Sequence, residues 1–101
     1  MKTIFENAQK LAQKSPDTFY APPAEELAAI MPGDCVKVCA RGVPGEVMAE
    51  RFWLLVHEIQ GELITGEVNN NLLFHPLELG ELVTVHTDNV YDIHTQTAGN
   101  T

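Results

Sequence analysis

The stretch that most constrains this chain is Arg51-Phe52-Trp53-Leu54-Leu55-Val56-His57-Glu58-Ile59. Successive side chains of a strand point to opposite faces. Phe52, Leu54 and Val56 therefore share one face, and Trp53, Leu55 and Ile59 the other. Apolar residues on both faces predict a central strand that is covered on both sides. Gln60-Gly61 follows as a tight hairpin turn, and Glu62 to Val68 returns with Ile64, Gly66 and Val68 on one face. A glycine inside a strand marks a bulge or a sharp bend, of the kind barrels use at corners. A chain with this hairpin at its centre folds around a sheet.

The flanking segments extend that sheet. Asp34 to Arg41 alternates, with Val36, Val38 and Ala40 on one side and Cys35, Lys37, Cys39 and Arg41 on the other. Gly42 to Gly45 is a loop, as is Asn69-Asn70-Asn71. Leu72 to Leu77 is apolar and irregular, and Pro76 confines it to an edge or a crossing segment. Leu79-Gly80-Glu81 turns the chain into a strand over Leu82 to His86, and Val90 to Ile93 is a last short strand or a single turn.

Two helices precede the strands. Thr3-Ile4-Phe5-Glu6 has the form of a capping box, and Ile4, Ala8 and Leu11 then recur at helical spacing until Ser15-Pro16. Pro23 suits the first turn of a second, short helix with Glu25 and Glu26 near its positive end. Leu27, Ile30 and Met31 form its apolar face, and Pro32-Gly33-Asp34 stops it. The fold class is α+β: a small, strongly bent antiparallel sheet or partly open barrel with an N-terminal helix and a second short helix. The division is an N-terminal helix over 1–16, a single mainly-β domain over 17–94 and a frayed tail over 95–101. At 101 residues the chain is one domain.

Charge narrows the function. Fourteen acids face six bases, for a net charge of -8, and no Lys or Arg follows Arg51. The second half instead carries Glu58, Glu62, Glu67, Glu78, Glu81, Asp88 and Asp92. Such a surface repels phosphate backbones and anionic membranes, so neither nucleic acid nor membrane is an expected partner. A basic protein is one, because opposite fields speed encounter; solubility alone also explains the charge. There is no membrane-spanning run and no secretory signal, and the two cysteines fit a reducing compartment, so a cytoplasmic protein is expected.

Reactive chemistry has few footholds. Cys35 and Cys39, four apart on a strand, stand about 13 Å apart on one face. A disulfide needs Cα atoms within about 7 Å, so the two do not pair with each other. Lys37 and Arg41 beside them would favour a reactive thiolate; inert packing is the alternative. His57, His75, His86 and His94 form no helical metal-ligand pair, though His57 and His86 would meet if their strands were neighbours. Ser15 is the only serine and precedes a proline, no G-x-S-x-G is present, and no glycine-rich loop opens a helix. No catalytic residue, metal or cofactor is predicted. Glu50, Arg51 and Trp53 with Asn69 form the best binding candidate: an aromatic platform with a polar rim. The competing reading places Trp53 in the core with Glu50 and Arg51 paired across strands.

Six segments in order carry a likeness: Phe19-Tyr20-Ala21-Pro22-Pro23, Pro32 to Val38, Glu50 to Val56, Gly66 to Asn70, Leu77 to Val83, and Val90-Tyr91-Asp92-Ile93. Over about residues 19–93 the chain resembles the YegJ-like bacterial domain family, whose function is unassigned. Glu81 stands where that family usually has Asp. The resemblance implies a fold and a bacterial origin, not a reaction. The leading expectation is a non-enzymatic binding module that engages a basic protein, in the manner of an immunity protein. The alternatives are a cysteine-based redox or enzymatic domain and a small-molecule binder around Trp53.

Overall fold

Among the described residues, alternating apolar residues become six strands of one antiparallel sheet: β1 (Ile4–Phe5), β2 (Cys35–Arg41), β3 (Ala49–Gln60), β4 (Leu63–Val68), β5 (Leu82–His86) and β6 (Asp92–His94). The structure is a computed structural model and describes residues 4–41, 49–70, 72 and 77–95. Strand order is β1-β2-β3-β4-β5. β6 pairs with β2 through Cys35↔His94 and Lys37↔Asp92, while β1 pairs with the far end of β2 through Ile4↔Arg41. β1 and β6 thus lie end to end along one side of β2, with β3 along the other. The sheet curls into a half-barrel, joined by helices α1 (Ala8–Lys14) and α2 (Ala24–Ala28).

The inner face holds the main core. Val36 and Val38 of β2, Phe52, Leu54 and Val56 of β3, Ile64 and Val68 of β4 and Val85 of β5 pack there with Ile30 and Val90. Leu27 of α2 closes against this cluster. Met31, expected beside Leu27 and Ile30, is 63% exposed instead. The turn Met31-Pro32-Gly33-Asp34 takes the chain from α2 into β2, and Gly33 at φ 98 meets the positive φ that a type II turn requires. The buried Asp34 carboxylate accepts the Met31 N–H at 2.9 Å.

A bulge corrects the simple alternation of β3. The register with β4 runs Val56↔Gly66 and then Glu58↔Thr65, so His57 is the extra residue. A one-residue slip turns every later side chain over. Ile59 therefore joins the core beside Val56, not Trp53 and Leu55 on the outer face. Gly66 sits opposite this kink, where a Cβ would stand 2.9 Å from the Leu55 carbonyl oxygen. The strands approach too closely there for any side chain. The hairpin itself turns on Gly61 (φ 61) and Glu62, with Gln60↔Leu63 as the last pair.

The N-terminus also departs from expectation. Ile4 and Phe5 extend the sheet and do not enter a helix. α1 starts at Ala8 with Asn7 as its cap, whose Oδ1 accepts the Lys10 N–H at 2.9 Å. Glu6, assigned by sequence to a capping box with Thr3, instead pairs with Arg41. Thr3 lies outside the described residues. The helix docks on the domain: Ala8 is fully buried with Cys39 and Tyr91, and Leu11, Phe19 and Ala21 pack around them. This second cluster covers the outer face at the β2 end only.

Candidate functional site

The end of β4 builds the first feature of the outer face. The Asn69 N–H donates to the Trp53 carbonyl at 2.9 Å, one pair past the last strand residue. Beyond it the Trp53 N–H has lost its strand partner, and the Asn70 side-chain oxygen takes it at 2.7 Å. The asparagine loop is therefore laced to β3 beside the indole. From the other side the crossover to β6 brings His94 to the Trp53 ring, with centroids 6.4 Å apart and planes at 76°. Lys37, directly across the β2–β3 ladder, lays its ammonium 5.2 Å from the ring centroid. An open cleft of about 310 Å³ results, lined by Cys35, Trp53, Asn69, Asn70 and His94.

The structure thus keeps Trp53 and Asn69 together and adds Cys35, which sequence reasoning treated separately. It does not join Glu50 and Arg51 to them. Glu50 falls on the opposite face of β3 by alternation, paired with Ala40. Arg51 shares the Trp53 face but lies two pairs nearer α1, its guanidinium 5.1 Å from the Tyr91 ring centroid. Asn71 and His75 lie outside the described residues. His94 joins the cleft through a pairing of β6 with β2 that no local signal announces.

The two thiols differ in setting. Cys35 faces the cleft, and partial burial followed by the nearby Asp34 carboxylate pushes its pKa up. Cys39 is buried in the α1 cluster. Burial and then the Glu6 charge push it up, outweighing hydrogen bonds from Tyr91 and Arg51 that favour the thiolate. Tyr91 donates to Glu6 Oε1 at 3.2 Å, and its phenol is pushed well above its ordinary 10.0, chiefly by burial. Both cysteines are neutral thiols at pH 7, so iodoacetamide labelling of either is expected to be slower than that of a free model thiol. Labelling faster than the model thiol at pH 6 would contradict this. These raised values also set a sign for alkaline stability. The unfolded chain loses its thiol and phenol protons first, so stability is complete below about pH 9 and falls as pH rises further. Tyr91→Phe is expected to flatten that fall in urea titrations between pH 9 and 11.

His57 and His86 do not meet. β4 lies between β3 and β5, so His57 pairs with Glu67 (2.7 Å) and His86 with Glu62 (3.3 Å). Among the described residues no three metal-ligating side chains gather.

A second outer-face feature adjoins the cleft. Across β3, β4 and β5 the ladders place Leu55, Glu67 and Leu82 in one row, then Glu58, Thr65 and Thr84, then Gln60, Leu63 and His86. The Thr65 and Thr84 hydroxyls bond at 3.0 Å. Leu63, at the start of β4, and Leu82, on the edge strand β5, are 50% and 58% exposed. Every formally charged Asp, Glu, Lys or Arg side chain in these rows is a carboxylate. Glu58 and Glu67 of the acidic second half thus share this face. No helix among the described residues is long and apolar enough to cross a membrane. Comparison with protein-family models, with curated proteins and with solved structures finds no match.

Proposed function

We propose that this chain is a non-enzymatic recognition module that binds a basic protein on the outer face of β3–β5. The observation that carries the reading is the exposure of Leu63 and Leu82 among carboxylates, with no Lys or Arg on either strand that bears them. Carboxylates around an apolar strip steer a cationic partner and fix its register, while the leucines lose water on contact. The Trp53 cleft continues the strip past Leu55 and supplies an aromatic anchor of the kind that dominates interface energetics. In this reading the module neutralises its partner by covering it, as an immunity protein does, in a bacterial cytoplasm. The resemblance to YegJ-like domains supports the setting and brings no activity with it.

The test is capture from lysate of the native cell on immobilised chain, at low and at high salt, read by mass spectrometry. A basic protein held at low salt and released at high salt is the expected result, because exposed charge pairs are screened within a Debye length. Leu63→Ser with Leu82→Ser is expected to reduce its capture at least tenfold while leaving the melting transition cooperative. Retention of the same protein by the doubly substituted chain would move the contact elsewhere. An empty capture at low salt would overturn the proposal.

A small-molecule reading of the Trp53 cleft has its own support in the enclosure of the indole by Asn69, Asn70 and His94. It is distinguished by tryptophan fluorescence. A metabolite that shifts the emission while salt-sensitive capture is absent would favour it.

A further inference from the structure

The half-barrel is open at one end, between α2, the β3–β4 hairpin and the 3₁₀ turn Thr87–Asn89. A cavity of about 280 Å³ lies there, close to the lower size of ligand pockets. Its apolar walls are aliphatic: Leu27 and Ile59, with the buried Ile30 and Ile64 behind them. Among the described residues no aromatic ring lines it, so stacking is not what these walls offer. Its charged residues are Glu62 at the hairpin turn and Asp88 in the 3₁₀ turn, and among the described residues no Lys or Arg lines it.

His86 lies between these two residues. Its Nδ1 accepts the Asp88 N–H at 3.0 Å, which leaves the proton of the neutral ring on Nε2, facing Glu62 Oε1 at 3.3 Å. The ring thus contacts the Glu62 carboxylate and the Asp88 backbone. An aliphatic cavity with an anionic mouth is complementary to one ligand chemistry: a hydrocarbon chain that ends in an ammonium group. Carboxylates and phosphates are repelled at the mouth, and neutral alcohols lack the charge-assisted hydrogen bond.

We infer that this mouth is a binding site for an alkylammonium group, separate from the outer-face contact proposed above. Such a group can be a free alkylamine or the side chain of a lysine, which has the same aliphatic stem and ammonium head.

Nitrogen-15 chemical-shift titration of the whole chain with hexylammonium, hexanol and hexanoate tests the assignment. Hexylammonium is expected to shift the amides of Ile30, Glu62, Ile64 and Asp88 and to saturate in the millimolar range. Hexanol is expected to bind about tenfold more weakly, and hexanoate weaker still. Glu62→Gln with Asp88→Asn is expected to erase the preference for the amine while retaining alcohol binding. Ala28 is exposed on α2 at the cavity wall, and Ala28→Phe is expected to block all three without unfolding the chain. N-acetyl-lysine methylamide separates the sources: binding equal to hexylammonium points to a protein's lysine, and binding much weaker points to a free amine. No saturable shift with hexylammonium, or equal binding of hexanoate, would overturn the inference. Glu58→Lys with Glu67→Lys on the outer face is expected to leave hexylammonium binding unchanged, so failure of the two proposals can be told apart.

Discussion

Gly66→Val is expected to abolish the cooperative unfolding transition of this chain, or to lower its urea midpoint by most of its wild-type value. A Cβ at position 66 stands 2.9 Å from the Leu55 carbonyl oxygen and 3.1 Å from the Leu54 Cβ. Both atoms belong to a central strand paired on either side, so neither can swing away as the tip of a flexible side chain could. Relief requires β3 and β4 to separate where the bulge at His57 already leaves one residue unpaired. Overpacking alone costs roughly 1–3 kcal/mol, and lost ladder bonds add to it. Against a total stability of about 5–15 kcal/mol this is a large share. Gly66→Ala is expected to destabilise in the same direction by less. A valine variant with the wild-type midpoint would show that the strands are farther apart at Gly66 than described.

The second large effect is expected from Leu54→Ala. Leu54 is fully buried between Val36 of β2 and Val68 of β4, in the middle of the core. Truncation removes its transfer free energy and leaves a cavity that a rigid sheet closes poorly. The expected cost is roughly 3–5 kcal/mol. For a domain of this size that lowers the melting midpoint by roughly 15–30 °C. Trp53→Ala is expected to cost less, about 1–2 kcal/mol, although it removes a larger side chain. Its ring is only half-buried, and what it loses is contact with Lys37 and His94. Calorimetry of the two variants checks the order. The reverse order would place the indole in the core and the leucine at the surface.

The sheet was legible where a local pattern set it. Alternation over Cys35–Arg41, the long apolar strand before Gly61 and the turn at Gly80 each carry their own physical cause. The departures arise where distant partners decide. Ile4 and Phe5 have too few residues to nucleate a strand, and they are extended because the β2 edge offers Ala40 and Arg41 to pair with. Glu6 gives up a capping role because Arg41 and Tyr91 lie within reach of its carboxylate. The face of Ile59 depends on a bulge that alternation does not reveal, although Gly66 marked the region as one of bending. The candidate site divides in the same way. Trp53 and Asn69 were readable together because an aromatic ring with polar residues at its rim is a recognition pattern. Glu50 was misgrouped, since neighbours in sequence take opposite faces of a strand. His94 was not readable at all, because its place follows from the return of the chain to β2 after five strands. The exposed leucines were legible only as apolar residues. Their exposure follows from α1 covering the β2 end of the outer face and leaving the β3–β5 end open.

The charge of the chain becomes specific only if it acts from one face. Two doubly substituted chains separate that claim from net charge: Glu58→Lys with Glu67→Lys on the outer face, and Glu25→Lys with Glu26→Lys on α2. Each pair changes the net charge from -8 to -4, two substitutions of two units each. Low-salt capture of the basic partner by both, quantified against wild type, is the most direct measurement. Loss of capture at least tenfold by the Glu58 and Glu67 chain, with near-wild-type capture by the Glu25 and Glu26 chain, is the result predicted. Equal loss by the two would mean that bulk charge alone attracts the partner, and would contradict recognition by the outer face of β3–β5.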